Sequence, residues 1–215
     1  LHAALPFFWP ASEPKYDGRY LSEWLWMYYQ YIPDNSNPEF LEVRNAIRNI
    51  GTNALPYYLN WIVYEPREWP DWIRDKPTLY NFLVGTRYRR PYYAIAGIGI
   101  LGTNAISAVP ALEALMKDSS KVRFTGHVMM ALGSIGETSI PILETALADT
   151  NQFHRIAIPY ALQAAALQAG TNACLPILIE ATRDRDSSVR QHATIVLKRI
   201  APEVLDGAPS EPKTE

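Results

Sequence analysis

A single cysteine, Cys174, stands in a chain of 215 residues, which leaves no internal disulfide and no cysteine-rich zinc site. An excess of either charge is also missing. Lys plus Arg number 20 against 22 Asp plus Glu, so the net charge of −2 draws in neither nucleic acid nor anionic lipid. Charged residues make up only 20% and hydrophobic ones 48%, which excludes a disordered chain. Eleven glycines without a period of three exclude a collagen-like one. Apolar runs are short: a bilayer span takes about 20 residues, and no window is read as one, so no membrane span is expected within this chain. No stretch alternates with a period of two, and the expectation is therefore an all-α protein.

Chemistry-bearing motifs are equally scarce. There is no H-E-x-x-H, C-x-x-C, EF-hand loop, P-loop or G-x-S-x-G elbow. Gly97-Ile98-Gly99-Ile100-Leu101-Gly102 matches G-x-G-x-x-G, but a dinucleotide site needs a strand before it and a helix after it. Ile98 and Leu101 sit at helix-core spacing instead, so the extra glycines read as places where helices approach closely. His127 and His192 share one helical phase but lie two repeats apart, too far to bind one zinc ion. Cys174 occupies a slot filled by Leu55, Ile106 and Ile140 elsewhere, which makes it a small core residue. No catalytic, cofactor or metal residue is assigned.

What the chain does contain is a repeat. Gly-Thr-Asn-Ala occurs at Gly51–Ala54, Gly102–Ala105 and Gly170–Ala173, with a degenerate copy at Gly136–Ser139. Gly102 to Gly136 is 34 residues and Gly136 to Gly170 is 34 again. Ile200-Ala201-Pro202 reads as a final, capping version. Gly51 to Gly102 is 51 residues, one period plus an insertion of 17. The positions one, four and eight before each mark are apolar, as in Ile50, Ile47 and Val43, which is the buried stripe of an amphipathic helix. The glycine is expected to end that helix in a left-handed conformation. Asn53, Asn104 and Asn172 are expected to cap a second helix, with Pro56, Pro141 and Pro176 in its first turn. The unit is helix, tight turn, helix, and each pair needs a neighbour to cover its apolar face.

These residues resemble HEAT repeats: Leu-Pro-Ile-Leu-type helices alternate with an Asp-Ser-Ser-Val-Arg turn (Asp186 to Arg190) and looser copies at Lys117–Arg123 and Asp149–Arg155. Tyr16 to Leu25 (YDGRYLSEWL) is similar to the start of a group of bacterial HEAT-repeat proteins of unassigned function. The resemblance spans roughly residues 38–202. It implies a right-handed α-α superhelix, a short solenoid of about four to five helical pairs. It also implies a hydrophobic segment before this stretch, which fits export or membrane attachment of a longer protein. The organisation expected is an extended N-terminal arm (1–20), one HEAT-repeat domain (21–206) with an aromatic insertion at about 64–90, and a frayed tail (207–215).

All six Trp and twelve of thirteen Tyr lie at or before residue 93. One cluster, Leu21–Ile32, reads as a helix closing the open end of the stack. The other is the insertion, Tyr64 to Tyr93, broken by Pro66, Pro70, Pro77 and Pro91 into short pieces, with helical turns expected at 70–75 and 78–84. It mixes large aromatics with Arg67, Arg74, Lys76, Arg87, Arg89 and Arg90, a composition enriched at interfaces. Lid or partner surface remain two open readings of it.

The function expected is a non-catalytic scaffold that binds a protein or peptide. Its candidate surface is the insertion together with a polar row on the second helices of the pairs: Glu42, Tyr93, His127 and His192, with Asn49, Ser134, Gln168 and Arg199 nearby. The candidate partner-binding residues are Trp69, Trp72, Arg74, Arg87, Tyr88, Arg89, Arg90, Tyr93, His127 and His192. A homodimer through the aromatic end is the other partner arrangement considered. The alternative function is an enzyme on a HEAT-like scaffold such as an alkyl-base DNA glycosylase, with Asp71-Trp72 and the neighbouring arginines as its only candidate; the acidic charge balance argues against it.

Overall fold

The computed structural model describes residues 13–30, 36–65, 71–76, 88–149 and 152–206. The calls on residues 1–12, on Trp69 and Arg87, on a helical turn at 78–84 and on the tail from 207 lie outside these. The described residues are predominantly α-helical. They also hold one element that the arm reading missed, a hairpin of β1 (Lys15–Tyr16) and β2 (Arg19–Tyr20). Its turn is Asp17-Gly18, both at positive φ (48° and 75°), the conformation that a two-residue hairpin loop demands. Two residues per strand are too few to show alternation, which is why the period test passed over it.

Helix α1 (Leu21–Tyr28) follows at once and ends four residues short of the expected Ile32. The helices that precede the punctuating residues are α2 (Pro38–Ile50), α5 (Arg90–Leu101), α7 (Thr125–Ile135), α9 (Gln152–Ala169) and α11 (Ser187–Ile200). Between them lie α3 (Leu55–Ile62), a single turn α4 (Asp71–Arg74), α6 (Val109–Lys117), α8 (Ile140–Leu147), α10 (Thr171–Ala181) and, at the end, α12 (Glu203–Asp206). In α2 the buried residues are Phe40, Val43, Ala46, Ile47 and Ile50, the spacing that puts a stripe on one face. Asn37 starts that helix by accepting from the amides of Glu39 (2.9 Å) and Phe40, and Asp186 does the same for α11 through Ser188 and Val189. Each such cap stabilises its helix by about 1 kcal/mol.

Gly51, Gly102, Gly136 and Gly170 all take positive φ at the ends of α2, α5, α7 and α9. Their ψ values differ from the left-handed helix expected: Gly51 has ψ −144° and Gly136 −142°, a region essentially reserved for glycine. The chain therefore turns more sharply than a left-handed helical cap allows. A second expectation is corrected here. Asn53 and Asn104 lie inside 3-10 turns and Asn172 inside α10, and none of them caps a helix. The 3-10 turn supplies the first amides with local backbone partners, so the side chains point to solvent. Pro56, Pro110 and Pro141 do open their helices, whereas Pro176 falls within α10, which already begins at Thr171.

The helices before the glycines pack in chain order, α2 on α5, α5 on α7, α7 on α9 and α9 on α11. The shorter helices flank them: α3 lies on α5, α6 on α7, α8 on α7 and α9, and α10 on α9 and α11. One core of buried Leu, Ile, Val, Ala and aromatic side chains runs from Leu21 to Leu197. Two glycines set the helix spacing. A Cβ on Gly97 would overlap the Tyr58 ring, and one on Gly133 would overlap the Ala161 carbonyl. Arg90–Lys117 is long and apolar enough by composition to cross a membrane, contrary to the expectation that no window is. Gly102 bends that run, and half of its most apolar window is buried in the protein.

Buried polar groups tie the last repeats together. Arg155, 4% exposed, donates from Nε to Asp184 at 3.1 Å and from Nη1 to the Asp149 carbonyl at 2.9 Å. Asp184 also accepts from the Asp186 amide, so one carboxylate organises both the turn and the contact between helices. The looser copy at Asp149–Arg155 thus meets, through Asp184, the turn that leads into Asp186–Arg190.

Candidate partner-binding face

The G-x-G-x-x-G string lies inside α5, with no strand before it, so its amides serve the helix rather than a phosphate. Among the described residues no three His, Cys, Asp or Glu side chains gather to hold a metal. Cys174 is buried in the core, and burial pushes its thiol up. What the helices display instead is a face of unusual composition. Beyond Arg90, α5 carries no Asp, Glu, Lys or Arg; α7 carries none; α9 carries only Arg155, which is turned inward. Charge returns on the flanking helices, with Glu39, Glu42 and Arg48 on α2 and Arg190, Lys198 and Arg199 on α11.

Rings pave the charge-free stretch. Tyr92 on α5 is 53% exposed, and its ring meets the His127 ring of α7 edge-on at 5.4 Å. Tyr160 on α9 packs against His192 of α11 at 5.2 Å. Half-buried Ile95, Met130 and Ala157 lie on the same helices. The hydroxyl of Tyr29, just after α1, donates to the Tyr92 carbonyl at 2.9 Å and holds that end of the face. Among the described residues, Nδ1 of both His127 and His192 is buried without a hydrogen-bond partner.

The predicted residues fare differently. Trp72 on α4 is 62% exposed; Tyr88 and Arg89 are exposed beside the start of α5; His127 and His192 are half-buried at the face. Arg74 belongs to α4, but its side chain, like Trp69 and Arg87, lies outside the description. Two candidates are corrected. Arg90 is only 8% exposed, with its guanidinium 4.5 Å over the Tyr64 ring and 6.0 Å from that of Trp61. Tyr93 is fully buried against Tyr29, ring centroids 5.3 Å apart, and burial pushes its phenol up to about 12. Neither is displayed to a partner.

The polar row is corrected as well. Ser134 is buried and donates to the Met130 carbonyl at 2.8 Å. Gln168 is exposed as expected, but it reaches from α9 past Gly136 and Gly102 to donate to the Gly99 carbonyl of α5 at 2.8 Å. Glu42, Asn49 and Arg199 are exposed, but on the flanking helices. The residues missed are Tyr92 and Tyr160, which stand ten places before their glycines rather than nine. That slot lies at the border of the buried stripe; Tyr29, just after α1, packs on the neighbouring Tyr93 ring and leaves Tyr92 displayed. The signal was present in the paired Tyr92-Tyr93, whose two rings must face different ways on a helix.

Burial lowers the pKa of His127. The folded protein therefore prefers its neutral ring, while in the unfolded chain histidine titrates near about 6.5. Stability from this site is full above that pH and is lost as pH falls through it and through the lower folded value. His127→Gln should flatten the decline in melting temperature between about pH 7.5 and about pH 5. An unchanged decline in the variant would show that the ring is not held neutral.

No protein-family model, curated protein or solved structure matches this chain.

Proposed function

We propose that the chain is a short HEAT-type solenoid, a right-handed α-α superhelix, that acts as a non-catalytic scaffold for a protein or peptide partner. The charge-free, ring-lined face of α5, α7 and α9 carries this reading. An apolar face between charged flanks resembles the dry core and polar rim of an interface, with exposed tyrosines as its anchors. The helix row, each member packed on the next, supports the solenoid, because a stack of pairs presents one continuous side. Trp72 and Tyr88 are exposed on the described parts of the insertion, and Glu65 at the insertion's start pairs with Arg123 of the 119–124 turn. The glycosylase alternative gains no support: Arg90, one of its few basic groups, is packed inward.

A photo-crosslinking residue placed at Tyr92 or at Trp72 should capture one and the same protein in the producing cell. The same residue at exposed Val122 should not. Absence of a common product at both positions overturns the proposal. In parallel, Trp72→Ala should leave the melting temperature nearly unchanged, since exposed side chains contribute within about 0.5 kcal/mol. A loss of several kcal/mol would make Trp72 part of a core.

A further inference from the structure

A second surface, sharing with that face only Glu42 of its charged flank, lies where the hairpin meets α1 and α2. Tyr16, Trp24, Pro38, Leu41 and Ala46 form the apolar floor and walls of an open groove of about 460 Å³, and Asp17, Glu42 and Asn45 supply its polar groups. Tyr16 and Leu41 are 41% and 39% exposed, so the groove shows apolar surface to solvent. Its walls are fixed from both sides. The Trp24 indole donates to the Tyr16 carbonyl at 3.1 Å and ties the hairpin to α1, while the Asn37 cap sets Pro38 at the start of α2. The Asp17-Gly18 turn holds Asp17 at positive φ, and the Asp17 carboxylate has no hydrogen-bond or ion partner among the described residues.

We propose that this groove binds an extended segment of a partner protein that carries an arginine beside an apolar residue. Charge complementarity commits it to a cation: two rim carboxylates flank an apolar floor. A resident side chain displays the chemistry. Arg19, opposite Tyr16 in the hairpin, holds its guanidinium 4.8 Å over the Trp24 ring and 3.8 Å from the Glu42 carboxylate. Both members of that pair are about half exposed, at 48% and 57%, and an exposed pair at such a distance is weak enough to be displaced. A planar guanidinium suits this setting better than an ammonium, because it both stacks on a ring and forks onto a carboxylate. An incoming arginine would pair with Asp17 and Glu42 while its apolar neighbour seats between Tyr16 and Leu41. Arg19 is then an internal competitor.

The test is fluorescence anisotropy of a labelled peptide of alternating leucine, proline and arginine, titrated with the full chain at low salt. The control peptide carries glutamate at the arginine positions. The arginine peptide should bind at least about tenfold more tightly than the control, and Asp17→Asn and Glu42→Gln should each weaken it several-fold. Arg19→Gln should strengthen it several-fold, an effect that loss of structure does not produce. Melting curves check that all three exposed-site variants fold. Tyr92→Ala should leave the affinity unchanged, which separates this groove from the function proposed above. Equal affinity for the two peptides, indifference to Asp17→Asn and Glu42→Gln, or no binding by both the wild type and Arg19→Gln would each overturn the proposal.

Discussion

Arg155→Met should lower the unfolding free energy by about 3–5 kcal/mol, the largest effect expected of any single substitution in this chain. The size follows from burial. The Arg155 and Asp184 side chains are 4% and 8% exposed, so removing the guanidinium strands a carboxylate away from water. It also removes the 2.9 Å donor to the Asp149 carbonyl, leaving the longer 3.3 Å bond from Arg185 there, and loosens the approach to α9. Asp184→Leu should cost a similar amount, with the Asp186 amide losing its acceptor as well. The double variant should lose clearly less than the two single losses together, because no buried charge is then left alone. Urea denaturation of the four proteins reads the coupling directly. Additive losses would show that the two side chains stabilise independently and that the pair is not the unit holding these turns.

The second large effect comes from the smallest change. Gly133→Ala adds one methyl where α7 crosses α9, and that methyl meets the Ala161 carbonyl, a backbone group that cannot rotate away. The helices must separate or slide, and overpacking of this kind costs about 1–3 kcal/mol, with more expected here because backbone rather than a side chain must move. Gly126→Ala in the same helix is the control, since nothing lies within 4 Å of its new Cβ. There the substitution should stabilise by up to about 1 kcal/mol through helix propensity. Opposite signs from one chemical change in one helix would establish that spacing, not composition, is what Gly133 serves. A destabilisation of equal size at both positions would refute the close crossing.

Much of this molecule was legible in the residue string. The interval of 34 between Gly102, Gly136 and Gly170 marked three helix ends, and each of those glycines has the positive φ that the position requires. The buried stripe of α2 falls on the residues that the three-and-four spacing selects. Cys174 lies in the core, as its slot in the repeat implied. The Asp-Ser-Ser-Val-Arg element, read as a turn, proves to be the N-cap and first turn of α11, with Asp186 as the cap. These features depend on contacts within one or two turns of the chain, and local sequence is enough to specify them.

The ring-lined candidate face was legible only in outline. A helix stripe assigns an angle, and at the border between core and solvent a few degrees decide which of two neighbouring tyrosines is displayed. For Tyr92 and Tyr93 that decision rests with Tyr29 at the end of α1, 63 residues away from its partner at position 92. Arg90 looked like part of an exposed basic cluster until the rings of Trp61 and Tyr64 enclosed it. Gln168 is exposed, as its place in the surface row implied, but no local rule shows its side chain reaching across one helix to the carbonyl of the next but one.

The order of elements, their ends and their apolar sides belong to the chain itself, since each is set by hydrogen bonds and burial patterns that repeat every few residues. Which rings face outward, which arginine is enclosed and which carboxylates border a groove were decided when distant helices met. Packing chooses among side chains that the local code treats alike, because the free energy of enclosing a group depends on what covers it.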